Sequence, residues 1–326
     1  MDMNLLRNIV ANGGTTAQKL LASGMDINCL RTNATLRQDE WKVLDAEIIS
    51  EAQNRLVVVR DVLTRGLTLN LKNGLGTTVL ESENVGDMNA AQVSMNGVTK
   101  GSNDTVNYEV VGLPLPMIHK DYSIEIRKLN SSRNQGEALD ATQAGLSARK
   151  VADIAEDMLL NGYSMTYGGY TIYGYTNYTN RNTVTLSVDW DASSKTGKQI
   201  VDDVLSCKQA LIAAKFFGPF AMYVPTAYDT RLDEDYSDSK GSNTVRERIL
   251  AIKGVESIEV ADHMTANNVV MVQMTKDVVR EVIGMPITNV EWSSEGGMIF
   301  NFKVMEIMVP QIRSDQSGNC GIAHLS

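Results

Sequence analysis

Residues 139–162 read LDATQAGLSARKVADIAEDMLLNG, and their spacing decides how the rest of the chain is arranged. Apolar or small residues at Ala141, Ala144, Ala148, Val151, Ala155 and Met158 recur at steps of three and four, which puts them on one face of a helix about 30 Å long. Asp140 followed by Gln143 predicts a capping box, and Gly162 supplies a stop. Arg149 four residues before Asp153 marks the wet side, where Glu156 and Asp157 are also expected. An alanine seam lets a helix lie close against a sheet or a second backbone, so it suits a scaffold better than a pocket wall.

A chain of 326 residues is long enough for about two domains, or for one large domain with excursions. Its net charge of -9 argues against a general affinity for phosphate backbones or anionic membranes. It contains no apolar run long enough to cross a bilayer, and MDMNLLRNIVANGG lacks the basic flank and apolar block of a signal peptide, so assembly in the cytoplasm is expected. Cys29, Cys207 and Cys320 are far apart and without CxxC spacing, which reads as small reduced hydrophobes and not as a disulfide framework or a zinc site.

Outward from the helix, residues 1–34 mix small and polar residues broken by Asn12-Gly13-Gly14 and Ser23-Gly24, and read as an arm. Thr35 and Gln38 open an amphipathic helix to Asn54, with Leu36, Trp41, Leu44, Ile48 and Ala52 at helical spacing. From Arg55 the period changes to two, and residues 56–128 read as long strands that leave and rejoin the body through a polar tip at 86–107. Pro114 and Pro116 exclude a central ladder position. A two-stranded projection of that kind is marginal alone in water and needs something to lie on, for which a neighbouring subunit is the simplest candidate.

Six tyrosines crowd into residues 163–178 around three glycines, a pattern of strands or loop with tyrosine bodies packed and hydroxyls wet. From Asp191 helix and strand alternate: 195–215 helical, GPFAMYVPTAYDTRL a buried strand running into a helix, 244–252 helical, 257–261 and 269–274 strands, 277–283 helical. MIFNFKVMEIMVPQI, 298–312, alternates as a long strand that should return to the sheet beside the long helix.

The inventory of chemistry is thin. His119, His263 and His324 are separated and read as surface turns, and no HExxH, GxSxG, Walker-type phosphate loop or GxGxxG is present. Asp233, Glu234, Asp235 and Asp238 lack the alternate spacing and glycine of a calcium loop and read as a solvated loop. Asp202 and Asp203 are expected on a solvent face. No catalytic, cofactor-binding or metal site is expected, and the chain reads as no enzyme.

The order of parts resembles the major capsid proteins of tailed bacteriophages and the related encapsulin shells, both of the Hong Kong 97-type fold. The resemblance rests on DEWKVLDAEIISEAQNRL, on LPLPMIHKDYSIEIRKL ahead of the long helix with its Glu156-Asp157 and Asn161-Gly162 ending, and on GPFAMYVPTAYDTRL. It implies an α+β fold: N-terminal arm 1–34, N-terminal helix 35–55, an extended β-hairpin loop 56–112, a peripheral domain 113–185 and 298–326 with its spine helix 139–162, and an α/β axial domain 186–297. It implies a structural role, with pentamers and hexamers of this chain closing an icosahedral virion shell around double-stranded DNA that is enclosed without sequence-specific binding. Scaffold, portal and cement or decoration proteins are the implied further partners, with no membrane. The alternatives are an encapsulin-type compartment shell and, from another class, an α/β enzyme or ligand-binding domain.

Overall fold

The computed structural model describes residues 38–85, 93, 95, 108–135, 141–236, 243–315 and 317–326. In chain order its elements are α1 (Gln38–Arg55), α2 (Val58–Thr64), β1 (Thr68–Asn70), β2 (Val79–Val85), β3 (Tyr108–Pro114), β4 (Ile118–Glu125), α3 (Ile126–Gln135) and α4 (Thr142–Asn161). There follow β5 (Tyr163–Tyr167), β6 (Tyr170–Ile172), β7 (Asn182–Val184), α5 (Gly197–Ala213), β8 (Phe220–Val224), α6 (Thr226–Leu232), α7 (Val245–Leu250) and β9 (Val255–Val260). The chain closes with β10 (Val269–Gln273), β11 (Val279–Ser294), β12 (Ile299–Ile312) and β13 (Ile322–Leu325).

The long helix forms as its spacing dictates. Ala144, Ala148, Val151, Ala155 and Met158 are buried, and Gly162 ends it with φ +72°. It starts at Thr142 with Ala141 as an N-cap that makes no side-chain bond, and Asp140, on which the expected capping box rests, lies outside the described residues. Small side chains let α1 lie close on α4: a Cβ added at Gly145 would stand 3.2 Å from the Glu47 side chain. Trp41, Leu44, Ile48 and Ala52 form the buried stripe of α1 against it.

Beneath α4 lies a four-stranded sheet in the order β1-β11-β12-β4, its long β11/β12 hairpin antiparallel over most of its length. A second sheet of five strands runs β7-β13-β10-β8-β9 with α5 and α7 against it, around a separate core that includes Trp190, Leu211, Phe220 and Tyr228. Two-stranded ribbons β2-β3 and β5-β6 complete the described fold.

Five expectations are corrected. Residues 58–64 are helical and not strand, because Val58, Val59 and Val62 share one buried face and the helix start is capped from elsewhere in the fold. The strand toward Arg127 stops at Glu125, and 126–135 is helical. Residues 279–283, expected within a helix, open β11: the strand is covered on both sides, so no alternation shows and Val278, Val279 and Val282 mimic a helical stripe. The division at 297/298 also fails, since β11 pairs along its length with β12, while β7 and β13 pair with each other in the five-stranded sheet and not in the four-stranded one. Of the span 56–112, α2 and β1 belong to the packed body, so the hairpin proper is β2-β3. The arm 1–34 and the polar tip 86–107 lie outside the described residues apart from Val93 and Met95, as do Leu36 and the expected helix start at Thr35.

The ribbon is pinned at its root by backbone contact. A Cβ added at Gly74 would lie 2.1 Å from the Gly284 carbonyl oxygen, at a register shift in β11, and Leu71 N donates to Ile283 O at 2.9 Å beside it. Nothing but hydrogen fits there. Gly74→Ala should therefore destabilise the subunit by about 2–3 kcal/mol, read as a lowered urea midpoint at unchanged slope.

Candidate subunit interface and the buried network behind it

Helix α2 has Val57 at its N-cap, whose side chain offers no acceptor. The acceptor comes from α4. Val58 N donates to Glu156 Oε1 at 2.6 Å and Val59 N to Glu156 Oε2 at 3.1 Å, so one carboxylate satisfies two otherwise orphaned amides at the positive end of the helix. Glu156 is 1% exposed. Burial raises its pKa, and the amide bonds work in the opposite direction. Glu156 is thus no solvent-side charge, contrary to the sequence expectation. The signal was present: Ala152, Leu159 and Leu160 are buried too and widen the apolar arc until it encloses position 156.

Held in this way, α2 reaches the five-stranded sheet. The Tyr223 hydroxyl on β8 donates to Asp61 Oδ2 at 2.8 Å, and Arg65 Nε donates to Asp61 Oδ1 at 2.8 Å. Arg65 also donates to Glu256 Oε2 at 2.6 Å and to Ser257 Oγ at 3.1 Å on β9. Tyr175 stacks on Tyr223 with ring centroids 6.0 Å apart, and Asn161 Nδ2 at the end of α4 donates to the His263 carbonyl at 2.9 Å. A polar chain therefore runs from the long helix through α2 into the second sheet.

Two further carboxyls lie inside. Glu281 on β11 and Glu306 on β12 are almost fully buried. Desolvation pushes Glu306 up to about 7, and drives Glu281 upward with added repulsion from Glu306 and Glu156. Among the described residues neither Glu281 Oε2 nor the Tyr175 hydroxyl meets a hydrogen-bond partner, which fits a neutral carboxyl in that place.

The outer surface centres on the β2-β3 ribbon. Its base is clasped within the chain: Gln311 Nε2 donates to Ser82 Oγ at 3.2 Å, and a Cβ at Gly112 would sit 2.3 Å from the Tyr170 ring of β6. Val111, opposite Ser82, and Val110 beside it point to opposite faces of the ribbon and are 39% and 52% exposed. Tyr163 and Tyr167 on β5 are exposed as well. The ribbon thus presents apolar side chains that this chain leaves partly uncovered.

Other candidates fall as follows. Asp203, expected in solvent, accepts from the buried Lys195 Nζ at 2.6 Å and from Trp190 Nε1 at 2.9 Å. His324 is not at a surface turn: it lies buried in β13, its Nε2 2.7 Å from Asn268 Oδ1 and its Nδ1 accepting from Arg181, and burial lowers it to about 4. His119 is on β4, and His263 stands 3.5 Å from Asp153. Tyr175 is fully buried, so its hydroxyl is not wet. Asp233 pairs with Arg246 and Glu234 with Arg231, while Asp238 lies outside the described residues. Cys207 and Cys320 are free and buried, with thiols pushed up to about 12. Cys29 lies outside the described residues. Among the described residues no group of three or more His, Cys, Asp or Glu is placed to hold a metal ion, and no helix is long and apolar enough to cross a membrane.

Comparison with known proteins follows this geometry. Residues 31–325 match a family described as being of unknown function, DUF6260, and the chain belongs to that family. No curated protein matches it in sequence. Among solved structures it is similar to a virus-like particle from Pyrococcus furiosus, at TM-score 0.63 and 17% identity over 88% of this chain and 99% of that one. It is also similar to the capsid of Myoviridae phage XM1, at TM-score 0.61 and 12% identity over 81% of this chain and 90% of the other. The capsid of a native GTA particle is similar at TM-score 0.55 and 13% identity, over 81% and 89% of the respective chains. The fold is of the Hong Kong 97 type.

Two outcomes follow from the interior. Glu156→Ala leaves two buried amides without an acceptor and should cost about 2–4 kcal/mol, measured by urea unfolding. Between the ordinary carboxylate range and about pH 7 the folded chain keeps a proton on Glu306 that the unfolded chain releases, so stability should fall as pH rises through that window. Glu306→Gln should flatten the fall and raise stability at pH 8 by on the order of 3 kcal/mol, read from urea midpoints at pH 5 to 8.

Proposed function

We propose that this member of the DUF6260 family is a major capsid protein, a structural subunit whose copies close as pentamers and hexamers into an icosahedral shell around double-stranded phage DNA. The observation that carries the reading is the β2-β3 ribbon, two strands with Val110 and Val111 partly uncovered on opposite faces. Such a ribbon is marginal alone and gains its stability from cover on both sides. In a closed shell each copy supplies that cover to the next. The neighbours named above, capsids and a virus-like particle, are shells of this fold and support the same reading.

The parts take roles accordingly. Residues 1–34 act as an arm, the β2-β3 ribbon as the loop that overlaps an adjacent subunit, and α4 with the four-stranded sheet as the peripheral body. The five-stranded unit lies toward the symmetry axes. The work is mechanical, without catalysis; assembly takes place in the host cytoplasm, with scaffold, portal and cement proteins as further partners. A second reading, a compartment shell without a genome, is favoured by the match that spans 99% of the virus-like particle chain.

Electron microscopy of the purified protein should show closed particles of uniform diameter, and nuclease-resistant DNA inside particles taken from the producing cell separates the capsid from the empty compartment. Replacing residues 84–109 with a two-residue turn should leave a subunit that melts normally and forms no closed particle. Closed shells from that variant would refute the role given to the ribbon.

A further inference from the structure

We propose that Arg280 and Arg313 form an anion-binding pair that receives carboxylates of the β2-β3 ribbon of a second copy of this chain; the proposal rests on the shell reading and deepens it. Arg280 stands opposite Gln311 in the β11/β12 ladder, and Arg313 lies two residues beyond Gln311, where its backbone continues the ladder by donating to Val278 O at 2.9 Å. Residues opposite each other, and residues two apart along a strand, share a face of a sheet. The two guanidiniums are therefore neighbours on one surface.

Their setting keeps them there. Arg280 Nε donates to Gln311 Oε1 at 2.5 Å, and Gln311 in turn holds Ser82 at the root of the ribbon. Among the described residues neither arginine forms an ion pair, although both are half-buried. Partial burial and the repulsion of Arg313 lower the Arg280 pKa. Two adjacent cations that form no ion pair with a described residue repel each other, and an anion relieves that repulsion. Arg313 opens onto a groove lined also by Tyr170, Tyr178, Asn180 and Ser314.

The same chain carries a complementary surface. The ribbon holds Glu81, Glu83 and Glu109, all exposed, and no lysine or arginine among its described strands. None of the three forms an ion pair with a described residue. Glu109 also lines the groove beside Arg313 in its own subunit, and Asp315 at the far end is occupied with Asn319, so the test must separate contact within a copy from contact between copies.

Two variants do so: Arg280→Glu with Arg313→Glu, and Glu81→Lys with Glu83→Lys and Glu109→Lys. Each alone should lower the yield of closed particles, measured by sedimentation, by about tenfold or more at an unchanged melting temperature. An equimolar mixture of the two should recover a substantial part of the yield, because each ribbon then finds an opposite charge on a different copy. A mixture as barren as its components, or a reversed arginine pair that assembles like the wild type, overturns the proposal. Normal yield with loss of packaged DNA from the arginine variant would assign the pair to phosphates and overturn it equally. A wild-type chain that forms no particles in the same run would instead defeat the shell reading itself.

Discussion

Two backbone amides at the start of a seven-residue helix, bound by one carboxylate from a helix far away in sequence, hold this fold together. Without Glu156, α2 has no cap, and isolated helices of that length do not persist in water. With it, α2 becomes a bracket: its first turn is fixed to the long helix, and Asp61 and Arg65 in its later turns grip β8 and β9. The short element links the two sheets through polar contacts, beside an apolar core to which both contribute: Ala221, Tyr223, Val270 and Val272 from one, Val282, Met285 and Val309 from the other. Burial of a carboxylate is costly unless its oxygens are satisfied, and here both are.

The same interior explains why the body tolerates so acidic a centre. Glu281 and Glu306 add to Glu156 in a buried region, and desolvation raises all three above the ordinary carboxylate range. The β2-β3 ribbon differs: its Leu113 end joins the core, it is clasped by Gly74, Gly112 and Gln311, and toward the tip it carries exposed Glu81, Glu83, Glu109 and Val110. A projection with partly uncovered apolar and acidic side chains is a surface that a second copy can cover.

The sequence was readable where one physical signal dominated. The alanine seam of α4, the Trp41-to-Ala52 stripe of α1 and the alternation of β12 each repeat at one period long enough to leave no rival. It misled where neighbours decided. Residues 58–64 are rich in valine and favour strand locally, but a cap supplied by α4 makes them helical. Residues 279–283 bury both faces and so lose the period of two. Glu156, Asp203 and His324 read as surface groups because their partners, the α2 amides, Lys195 and Asn268, are distant or unremarkable in sequence. β13 carries no local signal: nothing in IAHL announces that β7 and β10 will flank it.

The central claim is that the ribbon is completed by other copies, whereas the body is complete by itself. Hydrogen exchange compared between assembled particles and dissociated subunits tests this directly. The account predicts that the Val58 and Val59 amides are protected in both states, and that amides of β2 and β3 beyond the Ser82 clasp gain protection only in the particle. Equal protection of those ribbon amides in the isolated subunit would contradict it.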